Sequence, residues 1–282
     1  MVENRRFLNL LSHLVLIAGV AVIAFPVYIA LIASTHGPND FMSGLIPLLP
    51  GHDTIQNYAT MLQAGLASSG EPPMALMMGN SLIMALAIAI GKIAISIISA
   101  FAIVYFRFPG RMVAFWLIFV TLMLPVEVRI LPTYKVVAEL GMLNSYAGLS
   151  IPLIASATAT FLFRQVFLTM PEELLEAARI DGAGPMKFFW DILLPLSRTN
   201  MAALFVILFI YGWNQYLWPL VVTTDTAHYT VVMGIKRMAD VADSQPQWNY
   251  IMAAVVLAML PPVLVVMFMQ KLFVKGLVET EK

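Results

Sequence analysis

Apolar and polar positions alternate along this chain in long blocks rather than at the short periods of a soluble domain. Residues 10–34, 112–126, 140–163, 199–224 and 244–270 contain no Asp, Glu, Lys or Arg, and residues 80–106 contain Lys92 alone. A helix that crosses a bilayer needs about 20 mostly apolar residues. Five of the six blocks meet that length, and the short block at 112–126 reaches it by borrowing the next turn, through Leu131. The pattern predicts an all-α integral membrane protein, a single domain over residues 1–282 with six transmembrane helices at about 10–34, 80–106, 112–132, 142–163, 200–223 and 248–271. A cleaved signal is the rival reading of the first block, but such a segment carries an apolar core of about 7–15 residues. The run from Leu10 to Ser34 is longer, so a retained span is expected. Residues 35–78, punctuated by Pro38, Pro47, Pro50, Pro72 and Pro73 and by five glycines, read as irregular structure outside the membrane. Pro261-Pro262 inside the last block predicts a kink or local break, because proline removes a helix hydrogen bond.

Composition agrees. The chain is 60% hydrophobic and 11% charged, against about 25% charged in soluble domains. It has no cysteine, which excludes disulfides and thiolate metal sites. The basic residues are distributed unevenly. With the N-terminus inside, the inner segments hold Arg5, Arg6, Arg107, Arg111, Arg164, Arg179, Lys187, Arg198, Lys271, Lys275 and Lys282, whereas the outer ones hold only Arg129, Lys135, Lys236 and Arg237. Basic residues accumulate in cytoplasmic loops, so both termini are expected in the cytoplasm.

The long polar segment at residues 169–197 lies between the fourth and fifth blocks, on that same side. Thr169 is placed to cap a helix with Pro171, Glu172 and Glu173 in its first turn, where proline and acidic groups suit the positive end. Gly182 would end it by taking a left-handed conformation. Pro185 would start a second short helix that stops near Leu194, before Pro195. Ala177 and Ala178 leave a bare strip that another surface could approach, with Glu176, Arg179 and Asp181 free to pair across it. An ordinary connecting loop is the alternative.

The spacing weighs against an ordinary loop. Glu176-Ala177-Ala178, Gly182, Ile192 and Leu194-Pro195 form the pattern E-A-A-x3-G-x9-I-x-L-P. This resembles the EAA motif of the inner-membrane permease subunits of ATP-binding-cassette importers. Trp213-Asn214-Gln215-Tyr216-Leu217-Trp218-Pro219-Leu220 and Gln270-Lys271-Leu272-Phe273-Val274-Lys275-Gly276-Leu277 resemble stretches of that family's carbohydrate-uptake branch. Within the branch, residues 123–129, 146–149 and 155–165 are similar to permeases of glycerol-3-phosphate importers.

The resemblance implies a type I importer permease fold in the bacterial inner membrane and a non-catalytic subunit. Glu176, Ala177, Ala178, Gly182, Ile192, Leu194 and Pro195 would form a coupling helix seated on a separate ATPase. The implied partners are a homologous permease, two ATP-binding subunits and an extracytoplasmic solute-binding protein, with lipid around them and no nucleic acid. The chain itself carries no G-x-x-x-x-G-K-[ST] loop; Gly91-Lys92 lacks its flanking residues. ATP and Mg therefore belong to the partners, and no cofactor is expected here. The implied substrate is sn-glycerol-3-phosphate or a glycerophosphodiester, with an oligosaccharide as alternative. An ion-driven carrier would need intramembrane carboxylates, and the blocks contain none.

Three sets of residues are candidates for the path. Lys92, midway along its block, is a cation where a charge costs roughly 2.5–3.5 kcal/mol; it either attracts an anionic substrate or pairs with a group such as Glu127. Glu127 and Arg129, at the exit of the third span, suit a gate or a contact for the binding protein. Trp213, Asn214 and Gln215 could bind substrate or hold helices together. No His, Asp and Glu cluster has metal-ligand spacing.

Overall fold

A computed structural model describes residues 6–41, 47–66, 70–123, 126–240 and 246–278, and the side chains of residues 6–8, 121–127 and 271–278 are outside the description. The described residues form helices with no strand beyond one isolated bridge between Leu66 and Glu71. They fall into two compact units, Met1–Leu76 with Gly234–Leu260, and Met77–Met233 with Pro261–Lys282.

The first unit begins with α1 (Arg6–Ala33). Leu14, Leu16, Val20, Ile23 and most of its other large apolar side chains stay exposed, as expected of a helix whose solvent is hydrocarbon. Its end is tied to α2 (Thr54–Gln63) by Asn57, whose Nδ2 donates to the carbonyls of Ser34 (2.9 Å) and His36 (2.8 Å). Asn249 donates to Asn57 Oδ1 at 3.1 Å, so this buried amide is satisfied on both ends.

The second unit is built on α3 (Met74–Tyr105), followed by α4 (Arg111–Met123) and α5 (Val126–Glu139). Ser145 caps α6 (Tyr146–Ser150) and Ser156 caps α7 (Ala157–Leu168), each accepting a backbone N–H three residues on. The cap at Ser156 stands where one apolar run bends by 49° between Tyr146–Leu153 and Ala157–Leu168. After α8 (Glu172–Ile180), α9 (Pro185–Phe188) passes through a wide π-type turn at Phe189–Leu193 into α10 (Leu194–Leu196), one helix over Pro185–Leu196. This helix meets α11 (Arg198–Trp213) at 70°. Then comes α12 (Leu217–Val222), followed by α13 (Val231–Ala239) and α14 (Trp248–Val278), of which Gly234–Ala239 and Trp248–Leu260 belong to the first unit.

The core of the second unit joins Met84 and Ile88 of α3 to Val137, Leu149, Leu153, Trp218 and Val222. Gly212 lets α11 approach α3 closely, because a Cβ there would stand 2.9 Å from Ala85 Cα.

Among the described residues three helices, Asn9–Ala33, Met74–Tyr105 and Trp248–Gln270, are long and apolar enough to cross a membrane, and up to five if each bent pair counts as one. The expected third span falls on α4 and the start of α5, with residues 124–125 outside the described residues. Of the kink or local break expected at Pro261-Pro262, the break is not found: α14 runs as one helix across both prolines. Within a membrane bundle, local adjustment re-satisfies the carbonyls that a proline frees.

Candidate coupling surface and path residues

The polar segment folds as a helix, a tight turn and a second helix. The first turn of α8 carries Glu172 and Glu173, and its last turn carries Arg179, charges that match the two ends of the helix dipole. Thr169 does not cap it. Its hydroxyl donates back to the Val166 carbonyl at 2.8 Å and closes α7, leaving Pro171 as the residue before α8.

Gly182 ends α8 with φ at +74°. Its N–H bonds the Arg179 carbonyl at 3.0 Å, and the Ala183 N–H bonds the Ala178 carbonyl at 2.8 Å. These two bonds are the Schellman closure, which consumes carbonyls that a helix end would leave unpaired. The second helix runs past the expected stop to Leu196. Its wide turn gives room to the ring of Pro195, which a regular α-helix would exclude.

The two alanines divide. Ala178 is buried within the chain, whereas Glu176 and Ala177 are exposed, as are Gly182 and the 86% accessible Ile180. The outward surface is therefore Glu176, Ala177, Ile180 and the Gly182 turn. Ile192 and Pro195 are half-buried, Leu194 likewise, and Leu193 between them is fully buried. They anchor the segment rather than present it. Ile180 stands between the charged Arg179 and Asp181 at the end of α8.

Lys92 is buried at 7% exposure, with Nζ 3.8 Å from the centroid of the Tyr211 ring. Among the described residues no carboxylate lies within ion-pair distance of it. Arg129 of α5 is near enough for its charge to act on Lys92, and it lines a small recess with Ile130, Thr133, Pro152, Leu153 and Trp218. The side chain of Glu127 lies outside the described residues.

The amides after α11 are placed differently. Trp213 is buried and stacked on Phe209 with ring centroids 6.0 Å apart, Asn214 is exposed, and Gln215 Nε2 donates to the Tyr211 carbonyl at 3.1 Å. Gln215 thus closes its own helix end. Trp218 donates from Nε1 to the Gly148 carbonyl at 3.0 Å and is structural too.

A residue that block-reading passed over is Asn80. Its Nδ2 donates to the carbonyls of Ala227 and Tyr229, both at 2.9 Å, and its Oδ1 accepts from Tyr146 Oη at 2.8 Å. The signal was available: a buried amide within an apolar helix has to find partners.

Among the described residues no group of His, Asp and Glu could hold a metal ion. A bundle of apolar helices that carries an exposed polar elbow is the architecture of a membrane-embedded transport component.

Residues 92–279 match the family model described as "Binding-protein-dependent transport system inner membrane component", and the chain belongs to that family. It is 58% identical over 282 residues, covering 100% of both chains, to the sn-glycerol-3-phosphate transport system permease protein UgpE of Agrobacterium fabrum. The proteins of that name from Brucella melitensis and Rhizobium meliloti are 58% and 56% identical over the same full length. A chain in the crystal structure of a bacterial ABC transporter involved in the import of the acidic polysaccharide alginate superposes with a TM-score of 0.81 at 19% identity, covering 96% of this chain and 99% of that one. That likeness establishes the type I importer permease fold.

Proposed function

We propose that this chain is one of two permease subunits of an ATP-driven importer that carries sn-glycerol-3-phosphate, or a glycerophosphodiester, across the inner membrane by alternating access. The observation that carries the reading is full-length identity of 58% to relatives that bear that substrate in their name. Both termini face the cytoplasm in this reading, on the basic side of the charge distribution. The surface of Glu176, Ala177, Ile180 and Gly182 docks on one of two ATPase subunits, which bind ATP and Mg. A solute-binding protein delivers substrate on the opposite side. Closure of the ATPases on ATP moves the docked helix pair and with it the spans.

Lys92 fits the substrate. A buried ammonium with an aromatic neighbour and, among the described residues, no carboxylate is a place where a phosphate gains a charge partner. Arg129 adds a second positive charge nearby.

The test is reconstitution with the partner subunits in vesicles. ATP-dependent uptake of sn-glycerol-3-phosphate that exceeds uptake of a neutral oligosaccharide is the expected result. Uptake of the oligosaccharide instead would move the chain to the sugar carriers of the same branch. Transport driven by an ion gradient without ATP would overturn the reading altogether.

A further inference from the structure

On the far side of α3 from Lys92 an open groove of about 470 Å³ lies between α3, the Pro185–Leu196 helix and α11. Ile90, Ala94 and Ile98 line it from α3, Trp190 from the second helix, and Ala202 and Phe205 from α11. Ile90, Ala94 and Ile98 recur every four residues and so form one stripe. Lys92, two positions beyond Ile90, points about 200° around the helix, away from that stripe. The groove is therefore separate from the path proposed above.

Its walls are apolar almost without exception, so water filling it would find no hydrogen-bond partners. Its depth is also fixed. Ile98 is seven residues from the end of α3, and Ala202 is four from the start of α11. At 1.5 Å per residue these are about 10 Å and about 6 Å, which puts the groove in the leaflet nearest the polar segment.

Two exposed cations stand at that end. Lys187 precedes Trp190 by one helical turn, and Arg198 precedes Ala202 by one turn of α11. The single carboxylate of the Pro185–Leu196 helix is Asp191, also exposed, so the turns that lead into the groove carry two positive charges against one negative. Long basic side chains lay their stems on apolar surface and hold their charge at the headgroup level, where tryptophan also settles.

We propose that this groove binds an acyl chain of an anionic phospholipid, with the headgroup phosphate held between Lys187 and Arg198. The chemistry combines a hydrocarbon slot with a positively charged mouth. Only the identity of the leaflet rests on the orientation in the functional reading.

Quenching of tryptophan by brominated acyl chains tests it, in the importer purified with its partner subunits and placed in bilayers. The quantity read is the Trp190 contribution, wild type minus Trp190→Phe, since the chain has 5 tryptophans. Brominated phosphatidylglycerol is expected to quench it at a mole fraction about fivefold lower than brominated phosphatidylcholine, the advantage of one engaged cation. Lys187→Gln with Arg198→Gln should erase the difference between headgroups, and Ala94→Phe or Ala202→Phe should reduce quenching by both. Equal quenching by the two lipids in the wild type would overturn the headgroup assignment. Absence of Trp190-dependent quenching by either lipid would overturn the proposal that an acyl chain occupies the groove. Native mass spectrometry of the wild-type complex is a second measurement that needs no variant: retained phosphatidylglycerol supports the site, and exchange with phosphatidylcholine at equal abundance opposes it. The leaflet is read separately. The chain lacks cysteine, so labelling of Lys187→Cys by an impermeant reagent reports its side without reference to lipid or transport.

Discussion

Lys92 Nζ stands 3.8 Å from the centroid of the Tyr211 ring, so a buried cation on one helix rests against an aromatic face on another. A charge at mid-membrane depth costs roughly 2.5–3.5 kcal/mol, and a desolvated cation–π contact returns about 2 kcal/mol. The contact holds the ammonium without neutralising it. In the proposed function, an anion that enters this site meets a positive charge with no carboxylate beside it among the described residues.

Removing that charge is the first prediction. Lys92→Met is expected to lower the initial rate of sn-glycerol-3-phosphate uptake at least about tenfold, the scale of one lost charge-assisted contact, while the recovered complex and its ATPase activity persist. Tyr211→Phe retains the ring and should transport nearly as well as wild type, whereas Tyr211→Leu should not. Wild-type uptake by Lys92→Met in vesicles would remove this residue from the path.

The coupling elbow yields the second prediction. Gly182 has φ at +74°, and a Cβ added there would meet no atom within 4 Å. Gly182→Ala therefore introduces backbone strain and no collision, about 1–2 kcal/mol. The strain opposes the Schellman closure and should loosen the angle between the two short helices. The expected outcome is ATP hydrolysis that continues while uptake per ATP falls; Gly182→Asn, which tolerates the left-handed region better, should fall less. An unchanged transport-to-hydrolysis ratio in Gly182→Ala would separate the turn from coupling.

Much of this was legible along the chain because lipid imposes so coarse a rule. The long blocks appear as α1, α3 and α14, and the turn at Gly182 stands where a glycine among charged residues had to be. What blocks could not disclose were breaks made by single side chains. Ser156 offers a cap inside an uncharged run, where the run bends into two pieces, a local competition that a hydropathy count does not weigh. Thr169 had two helices to choose between, and the choice depends on which carbonyls the fold leaves open. Asn214 and Gln215 were alike as sequence; the end of α11 exposes one and turns the other back on Tyr211. Ala178 likewise faces inward because tertiary packing, not the motif, decides which side of α8 is covered.

Outside the membrane, His36 makes the third prediction. Its Nδ1 lies 2.8 Å from Asp40 Oδ2 and its Nε2 lies 2.7 Å from the Leu49 carbonyl, two acceptors that only a doubly protonated ring satisfies. Burial by itself would lower its pKa, but the Leu49 carbonyl, the hydrogen bond and charge of Asp40, and the charge of Asp53 together raise it above the usual histidine value. A raised pKa in the folded state means the clasp contributes fully below the unfolded value and is lost as pH rises through the folded one. Amide exchange in the region of residues 47–53 should therefore accelerate as pH increases past neutrality, beyond the intrinsic base catalysis seen in unfolded peptide. His36→Gln should show no such extra step; if it does, the step belongs to another group.

The fourth prediction concerns Glu71 and Arg237, whose Oε1 and Nε are 2.7 Å apart. The pair is lopsided: the Glu71 side chain is 1% exposed and the Arg237 side chain 44%. Glu71 Oε2 is buried with no hydrogen-bond partner. Burial raises the Glu71 pKa, and the hydrogen bond and charge of Arg237 only partly oppose it. Because the folded state then holds a proton more readily than the unfolded chain, the contribution of Glu71 to stability is present at low pH and is lost as pH rises through that raised value. Deleting the arginine leaves an ionised carboxylate in an apolar surrounding, the expensive way to break such a pair. Deleting the carboxylate leaves an arginine that water can reach. Arg237→Ala should therefore lower the melting temperature at pH 7.5 by more than Glu71→Gln does, and the gap should close as pH falls to 5. Thermal unfolding of the two variants across that range is the measurement, and equal destabilisation at both pH values would show that the pair contributes as an ordinary surface contact.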